Sequence, residues 1–161
     1  MIRRASKEDL PEILDIYRGA QAFMAETGNP NQWGNFYPSI ELLEDDISKQ
    51  QLYVVVRENI LSGVFVFFIG DDPWYDVIDH GDWLDKSPYG VIHRIASRAG
   101  EKGIFKEALD FCLSKIGHLR IDTHADNKIM QHIVTKNGFK KCGIIYVHEN
   151  KSPRIAYELL L

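Results

Sequence analysis

Three side chains with proton-handling chemistry fall in two short β-rich runs of the second half of the chain. His93 lies in Val91–Ser97, and Asp122 and His124 lie in and just after Leu119–Thr123. Period-two alternation puts Arg120, Asp122 and His124 on one face of the second run, with Ile121 and Thr123 on the other. A carboxylate on a central strand is costly to bury alone, so Asp122 either pairs with a cation such as Arg94 or faces an open cleft. A histidine near its ordinary pKa of ~6.5 can accept a proton from an ammonium group, directly or through water. The plainer alternative for each histidine is a satisfied core or strand-end residue, and for Tyr146, on a later strand, a packing role.

Between the two runs stands "SRAGEKGIF", with Gly100 and Gly103 ahead of a helical segment. A helix start fed by a glycine-containing turn presents unpaired N–H groups and the positive end of the helix dipole, which together attract phosphate. Glycine at such a turn equally serves geometry alone, and both readings stand on these residues. In the first half, "NPNQWGNFYP" and the acidic "DDPWYDVIDHGDW" carry Trp33, Tyr37, Trp74 and Tyr75, which can wall a pocket. Asp71, Asp72 and Asp76 can attract an ammonium group; the plainer alternative is a solvated loop whose tryptophans clip it to the rest of the protein.

Other chemistries are disfavoured. His80, His118, His132 and His148 have no carboxylate or cysteine at ligand spacing, so no metal site is expected. Cys112 and Cys142 form no paired motif, and Cys112 falls on the apolar line of a helix, which argues against a thiol hydrolase and suits a reducing, cytoplasmic setting. A net charge of −4 speaks against general nucleic-acid binding. The basic start "MIRRASKEDL" has no long apolar run after it, so neither a signal peptide nor a membrane anchor is expected.

The elements that must position these residues follow from periodicity. With 161 residues, 45% of them hydrophobic, the chain suits one domain over 1–161 that buries roughly two-thirds of its unfolded surface. "IRRA" reads as a first strand. "SKEDLPEILDIYRGA" reads as a helix, with Ser6 and Asp9 in capping-box spacing. "IELLEDDISKQ" is a second helix, and "LYVVVREN" and "ILSGVFVFFIG" form a hairpin. Asp71–Lys86 reads as a long ordered loop. Strand 91–97, a helix from about Lys102 to Ile116, strand 119–123, a helix from about Asn127 to Asn137, and strands "KCGIIYV" and "RIAYELLL" complete the order β-α-α-β-β-β-α-β-α-β-β. Antiparallel hairpins followed by strand–helix–strand units predict an α+β, or mixed α/β, sheet covered by helices on both faces.

"IHRIASRAGEKGIFKEALDF", "LRIDTHADN" and "IVTKNGFKKCG" together resemble the cofactor-binding half of the GNAT superfamily of acetyl-CoA-dependent N-acetyltransferases. The opening "MIRRASKEDLPEILDIY" is similar to that family's first strand and helix. The resemblance implies a twisted, mostly antiparallel sheet with one splayed parallel pair, Val91–Ser97 and Leu119–Thr123. The implied cosubstrate is acetyl-CoA. Its pantetheine would run along the earlier splayed strand at Ile95, Ala96 and Ser97, and its pyrophosphate would lie at Gly103, Ile104, Phe105 and Lys106, with a contact at Asn127. The implied reaction is direct attack of a primary amine, on a small molecule or peptide, on the thioester, with His93, Asp122, His124 and Tyr146 as candidate proton-handling groups.

The chain departs from the family pattern in three places. Gly100 stands where arginine or glutamine is usual, Phe105 replaces a second glycine or alanine, and Val134 occupies the position of a frequent thiolate-protonating tyrosine. These departures keep open a second reading, a CoA-binding sensor or interaction module with weak catalysis. Neither nucleic acid nor membrane is expected as a partner, and exposed edge strands leave homodimerisation open.

Overall fold

The computed structural model describes residues 1–161. Its seven strands are β1 (Ile2–Arg4), β2 (Leu52–Arg57), β3 (Ile60–Ile69), β4 (Gly90–Ser97), β5 (His118–Thr123), β6 (Lys140–Val147) and β7 (Ser152–Leu160). The helices are α1 (Leu10–Glu26), α2 (Ile40–Ser48), α3 (Ile104–Leu113) and α4 (Lys128–Lys136). The strands form one sheet in the order β1-β2-β3-β4-β5-β7-β6, antiparallel throughout except for β4 beside β5. This is the expected mixed sheet with one parallel pair.

Alternation along the strands builds two cores. Val54, Val64 and Val66 point to one face, where Ile13, Ile16, Tyr17 and Leu43 of α1 and α2 cover them. Val55, Phe65 and Phe67 point to the other, against Ile104, Ala108, Leu109 and Cys112 of α3 and Val134 of α4. Each large apolar side chain buried this way contributes about 1.5–3 kcal/mol. Because both faces are covered, the central strands read as nearly unbroken apolar runs.

The N-terminus of α1 is held by Asp9. Its carboxylate accepts the Ser6 N–H at 2.8 Å and two guanidinium bonds from Arg3 at 2.8 and 2.9 Å, after a 3-10 turn at Lys7–Asp9. The helix runs on through Glu26, six residues past the segment in which the sequence suggests it, and carries Phe23 and Met24 to the functional face. No helix is long and apolar enough to cross a membrane.

Asp71–Pro88 contains a 3-10 turn at Pro73–Tyr75 and packs over the sheet end where β4, β5, β7 and β6 meet, burying Tyr75 and Tyr89 against Val91, Ile145 and Val147. A buried charge network anchors it. Glu158 binds His118 at 2.7 Å, Arg120 at 2.6 Å and the Leu84 N–H at 2.5 Å, while the Arg120 guanidinium lies between the rings of Trp83 and Tyr89. Farther along, Asp79 bridges to Ile144 at the edge of β6. The chains approach so closely there that a Cβ on Gly81 would lie 1.8 Å from the Cys142 carbonyl oxygen, and one on Gly143 2.6 Å from that of Asp79.

Candidate functional site

β4 and β5 pair only at Gly90–Leu119 and Val91–Arg120, then diverge. Beyond this fork β4 has a free edge. A bulge faces Phe65 of β3, between the pairs Val66–His93 and Val64–Ala96. It holds Arg94 at φ 49°, a left-handed conformation that costs a non-glycine residue about 1–3 kcal/mol. Its surroundings fix it: the Tyr17 hydroxyl donates to the Arg94 carbonyl at 2.7 Å, and the guanidinium reaches Asp46 at 2.7 Å and the Tyr37 hydroxyl at 3.1 Å.

Two cavities meet at the fork. The larger, about 600 Å³, is lined by Ile95, Ala96 and Ser97 on the β4 edge, by the loop 98–103, and by Ile104, Phe105 and Lys106. Gly103 caps α3 at φ 78°, which aims the first N–H groups of the helix outward. Arg57 braces the loop through the Lys102 carbonyl at 2.8 Å, Glu101 at 2.9 Å and Glu107 at 2.7 Å. The Phe105 ring turns into the core against Phe139, so only its backbone is offered to the cavity. The Lys106 ammonium pairs with Asp110 on the exposed side of the helix. Lys102 and Lys136 also line this cavity, as do Phe23 and Met24 of α1.

The smaller cavity, about 60 Å³, shares Met24, Ile95, Asn127 and Met130 with the larger one. Asn127 sits at the junction, its Oδ1 capping α4 at the Met130 N–H and its Nδ2 donating to Gln32. His93 and Asp122 face each other across the fork, His93 Nδ1 to Asp122 Oδ2 at 3.8 Å. His93 Nε2 lies 2.6 Å from the carboxylate of Asp72, and the buried Tyr75 hydroxyl donates to Asp122 at 2.7 Å. Burial would raise the pKa of Asp72, but its hydrogen bond and attraction to His93 hold it below the ordinary carboxylate value. Burial keeps Tyr75 protonated, well above the usual phenol range.

The sequence-predicted site residues therefore divide. His93, Asp122, Trp33, Tyr37 and Trp74 line the small cavity, and all eight predicted cofactor contacts line the large one. Tyr75 is not a wall but a buried support behind Asp122. His124 lies past the end of β5, where its Nδ1 accepts the Asp126 N–H at 3.0 Å, and it lines neither cavity; alternation does not continue beyond the strand. Tyr146 also lies outside, its phenol raised by a hydrogen bond to Asp79. Arg94 pairs with Asp46, which leaves Asp122 to the cleft. Asp71 and Asp76 are solvated; Asp72, between them in type, is the buried partner of His93.

Several contributors carry little signal in the sequence. Gln32 accepts from Asn29, Thr123 and Asn127, and its carbonyl accepts from Arg154, tying the segment after α1 to the fork. His148 stands between Tyr37 and Trp74, with ring centroids at 5.1 and 4.9 Å. Its pKa is lowered by burial and by the nearby arginines. Arg154 and Glu158 are detectable only as lone charges in the otherwise apolar "RIAYELLL". No cluster of three or more histidine, cysteine or acidic side chains stands close enough to hold a metal ion. Burial pushes the thiol of Cys112 up to about 12.

No protein-family model and no curated protein sequence matches the chain. Solved structures do. A GNAT-family acetyltransferase from Streptococcus agalactiae superposes with a TM-score of 0.89 at 29% identity, covering 100% of this chain and 95% of the other. A proposed acetyltransferase from Staphylococcus aureus gives 0.72 at 28% identity, covering 98% and 97%. The NatC complex bound to Gag peptide and CoA gives 0.63 at 16% identity, covering 100% and 98%, a likeness of fold.

Proposed function

We propose that this chain, a member of the GNAT superfamily and an acyltransferase by fold and likeness, transfers an acetyl group from acetyl-CoA to a primary amine. The supporting observation is the meeting of two unlike cavities at the β4–β5 fork, one built on a free strand edge and a helix start, the other lined by His93 and Asp122. The structure of NatC with CoA supports the choice of cosubstrate. When bound, acetyl-CoA supplies a thioester activated toward amines.

The free edge of β4 at Ile95–Ser97 offers backbone groups to an amide-bearing arm, and the α3 start at Gly103–Lys106 offers N–H groups to a pyrophosphate. Lys102 and Lys136, with no carboxylate partner, add positive charge to the same walls. In the small cavity Asp122 attracts the ammonium form of the acceptor. With its Nε2–H donated to Asp72, His93 keeps Nδ1 as an acceptor on the Asp122 side and takes the ammonium proton. The neutral nitrogen attacks the carbonyl carbon: the N–C bond forms, the C–S bond breaks, the thiolate leaves, and the remaining excess proton on nitrogen passes to the thiolate or to water. The peptide freed from the ladder by the Arg94 bulge is positioned to polarise the carbonyl oxygen.

Calorimetry with acetyl-CoA and CoA, followed by thiol release across a panel of amines, tests this reading. Micromolar cofactor binding with amine-dependent thiol release is expected. Absence of binding at near-millimolar cofactor would remove the proposal. Val134, buried where relatives of this fold often carry a tyrosine, favours the alternative of a CoA-binding sensor, and that alternative predicts binding without thiol release.

A further inference from the structure

The small cavity holds more charge than an amine needs. Arg154 is 4% exposed and lines it, yet its guanidinium donates only to the Ser152 hydroxyl and to the carbonyls of Pro153 and Gln32. Three of its five N–H donors are used, and none meets a carboxylate. An arginine desolvated without an anion is unfavourable, and burial pushes its pKa below the usual value, with only partial relief from Asp122. Arg94, with a side chain 9% exposed on the same cavity, has its charge answered by Asp46 but retains a buried Nε–H without a partner.

Asp122 is the opposite case, a carboxylate bonded by Tyr75 and facing His93 but paired with neither arginine. Asp122 lies opposite Ala156 in the β5–β7 register, so Arg154 is its diagonal neighbour on the same face, at about 7–8 Å. Long side chains can reach across such a spacing, yet Arg154 forms no salt bridge with Asp122: its guanidinium is turned to Ser152, Pro153 and Gln32. The two opposite charges thus line one cavity without pairing with each other, and each can take one end of a small zwitterion. A plain amine would satisfy Asp122 and leave Arg154 as it is. A cavity of about 60 Å³ has room for only a few heavy atoms, and the rings of Trp33, Tyr37, Trp74 and His148 wall it.

We propose that the acceptor is a small amino acid, its ammonium group held at Asp122 and His93 and its carboxylate at Arg154, with the Arg94 Nε–H as a second donor. This rests on the acyl-transfer reading for the fate of the amine, but the charge pairing stands without it, and the two are tested separately.

Calorimetry on the CoA-saturated protein, with the common L-amino acids and β-alanine each set against its own carboxamide, reads the carboxylate site directly. At least one amino acid should bind ten- to a hundredfold more tightly than its amide. Arg154→Gln should abolish that preference while amide binding changes less than about threefold, and Arg154→Lys should restore part of it. Equal binding of acids and amides, absence of binding by all of them, or a preference that survives Arg154→Gln in a folded variant overturns the proposal. The wild-type comparison decides even if the variants do not fold. Thiol release from acetyl-CoA is measured on the same pairs. An amino acid that binds through Arg154 without releasing thiol refutes acyl transfer to it and leaves the carboxylate site standing, whereas thiol release with amides as readily as with acids supports transfer and overturns the zwitterion.

Discussion

The two cavities that meet at the fork are built in opposite ways. The larger is centred on one continuous stretch, 95–106, which supplies a free strand edge, a glycine cap and a helix start, with α1 and α4 as its outer walls. The smaller is made of side chains drawn from distant segments: His93, Asp122 and Arg154 line it from three different strands, and the buried Asp72, outside the lining, holds His93. A site of backbone groups tolerates side-chain change as long as the backbone keeps its path. A site of converging side chains does not, because each group is held by one or two specific partners.

Single substitutions can break that contrast, and the largest effect is expected at His93. His93→Ala should lower kcat by about a hundred- to a thousandfold while CoA affinity changes less than about threefold. Thiol-release kinetics and calorimetry measure the two quantities, and an unchanged rate removes His93 from the chemistry. In the larger cavity the sensitive position should be backbone. Gly103→Val forces a β-branched residue to φ 78° and should cost about 1–2 kcal/mol of stability, with CoA binding weakened about tenfold. Loss of CoA binding by Lys106→Ala instead, with Gly103→Val neutral, would mean that the cavity works through side-chain charge.

The pairing of Asp72 with His93 gives the small cavity its own acid sensitivity. A carboxylate held below its unfolded pKa contributes stability that is full above about pH 4 and is lost as pH falls through the folded value. The gap in stability between the wild type and Asp72→Asn should therefore be constant near neutrality and narrow below about pH 4 in denaturant titrations. A gap that stays constant to pH 3 would mean that Asp72 acts through packing alone. The smallest effect is expected at the thiols. With Cys112 pushed up to about 12 and Cys142 to about 11 by burial, both stay protonated at pH 8. A thiol-reactive probe should label neither in the native protein within the time it labels both in denaturant, and fast native labelling of Cys112 would revive a thiol mechanism.

The same contrast explains what was legible in the amino acids alone. The elements were legible because the dense β-branched and aromatic run 64–68 and the helical line of Ile104, Ala108 and Cys112 are local patterns, readable without knowing what packs on them. The larger cavity was legible for the same reason, since the strand, the loop with Gly103 and the helix are consecutive. The smaller one was legible only where a polar residue breaks a strand pattern, as at His93 and Asp122. Asp72 looks like any of the aspartates around it, and its contact with His93 is fixed by how Asp71–Pro88 lies on the sheet, through Glu158, Arg120 and Trp83. Tyr146 and His124 misled because alternation says which face a residue takes, not where along the sheet the cleft opens.

The contact between Asp79 and Ile144 has a consequence for solubility. β6 ends the sheet, and an uncovered edge strand is a template on which another chain can add a strand and begin aggregation. Two glycines, Gly81 and Gly143, let the excursion from Asp71 press its own backbone onto the middle of that edge, where any larger residue would hold it away. The segment that brings Asp72 to His93 thus also acts as a guard rail, leaving the three-residue β1 as the other outer strand open to a neighbour.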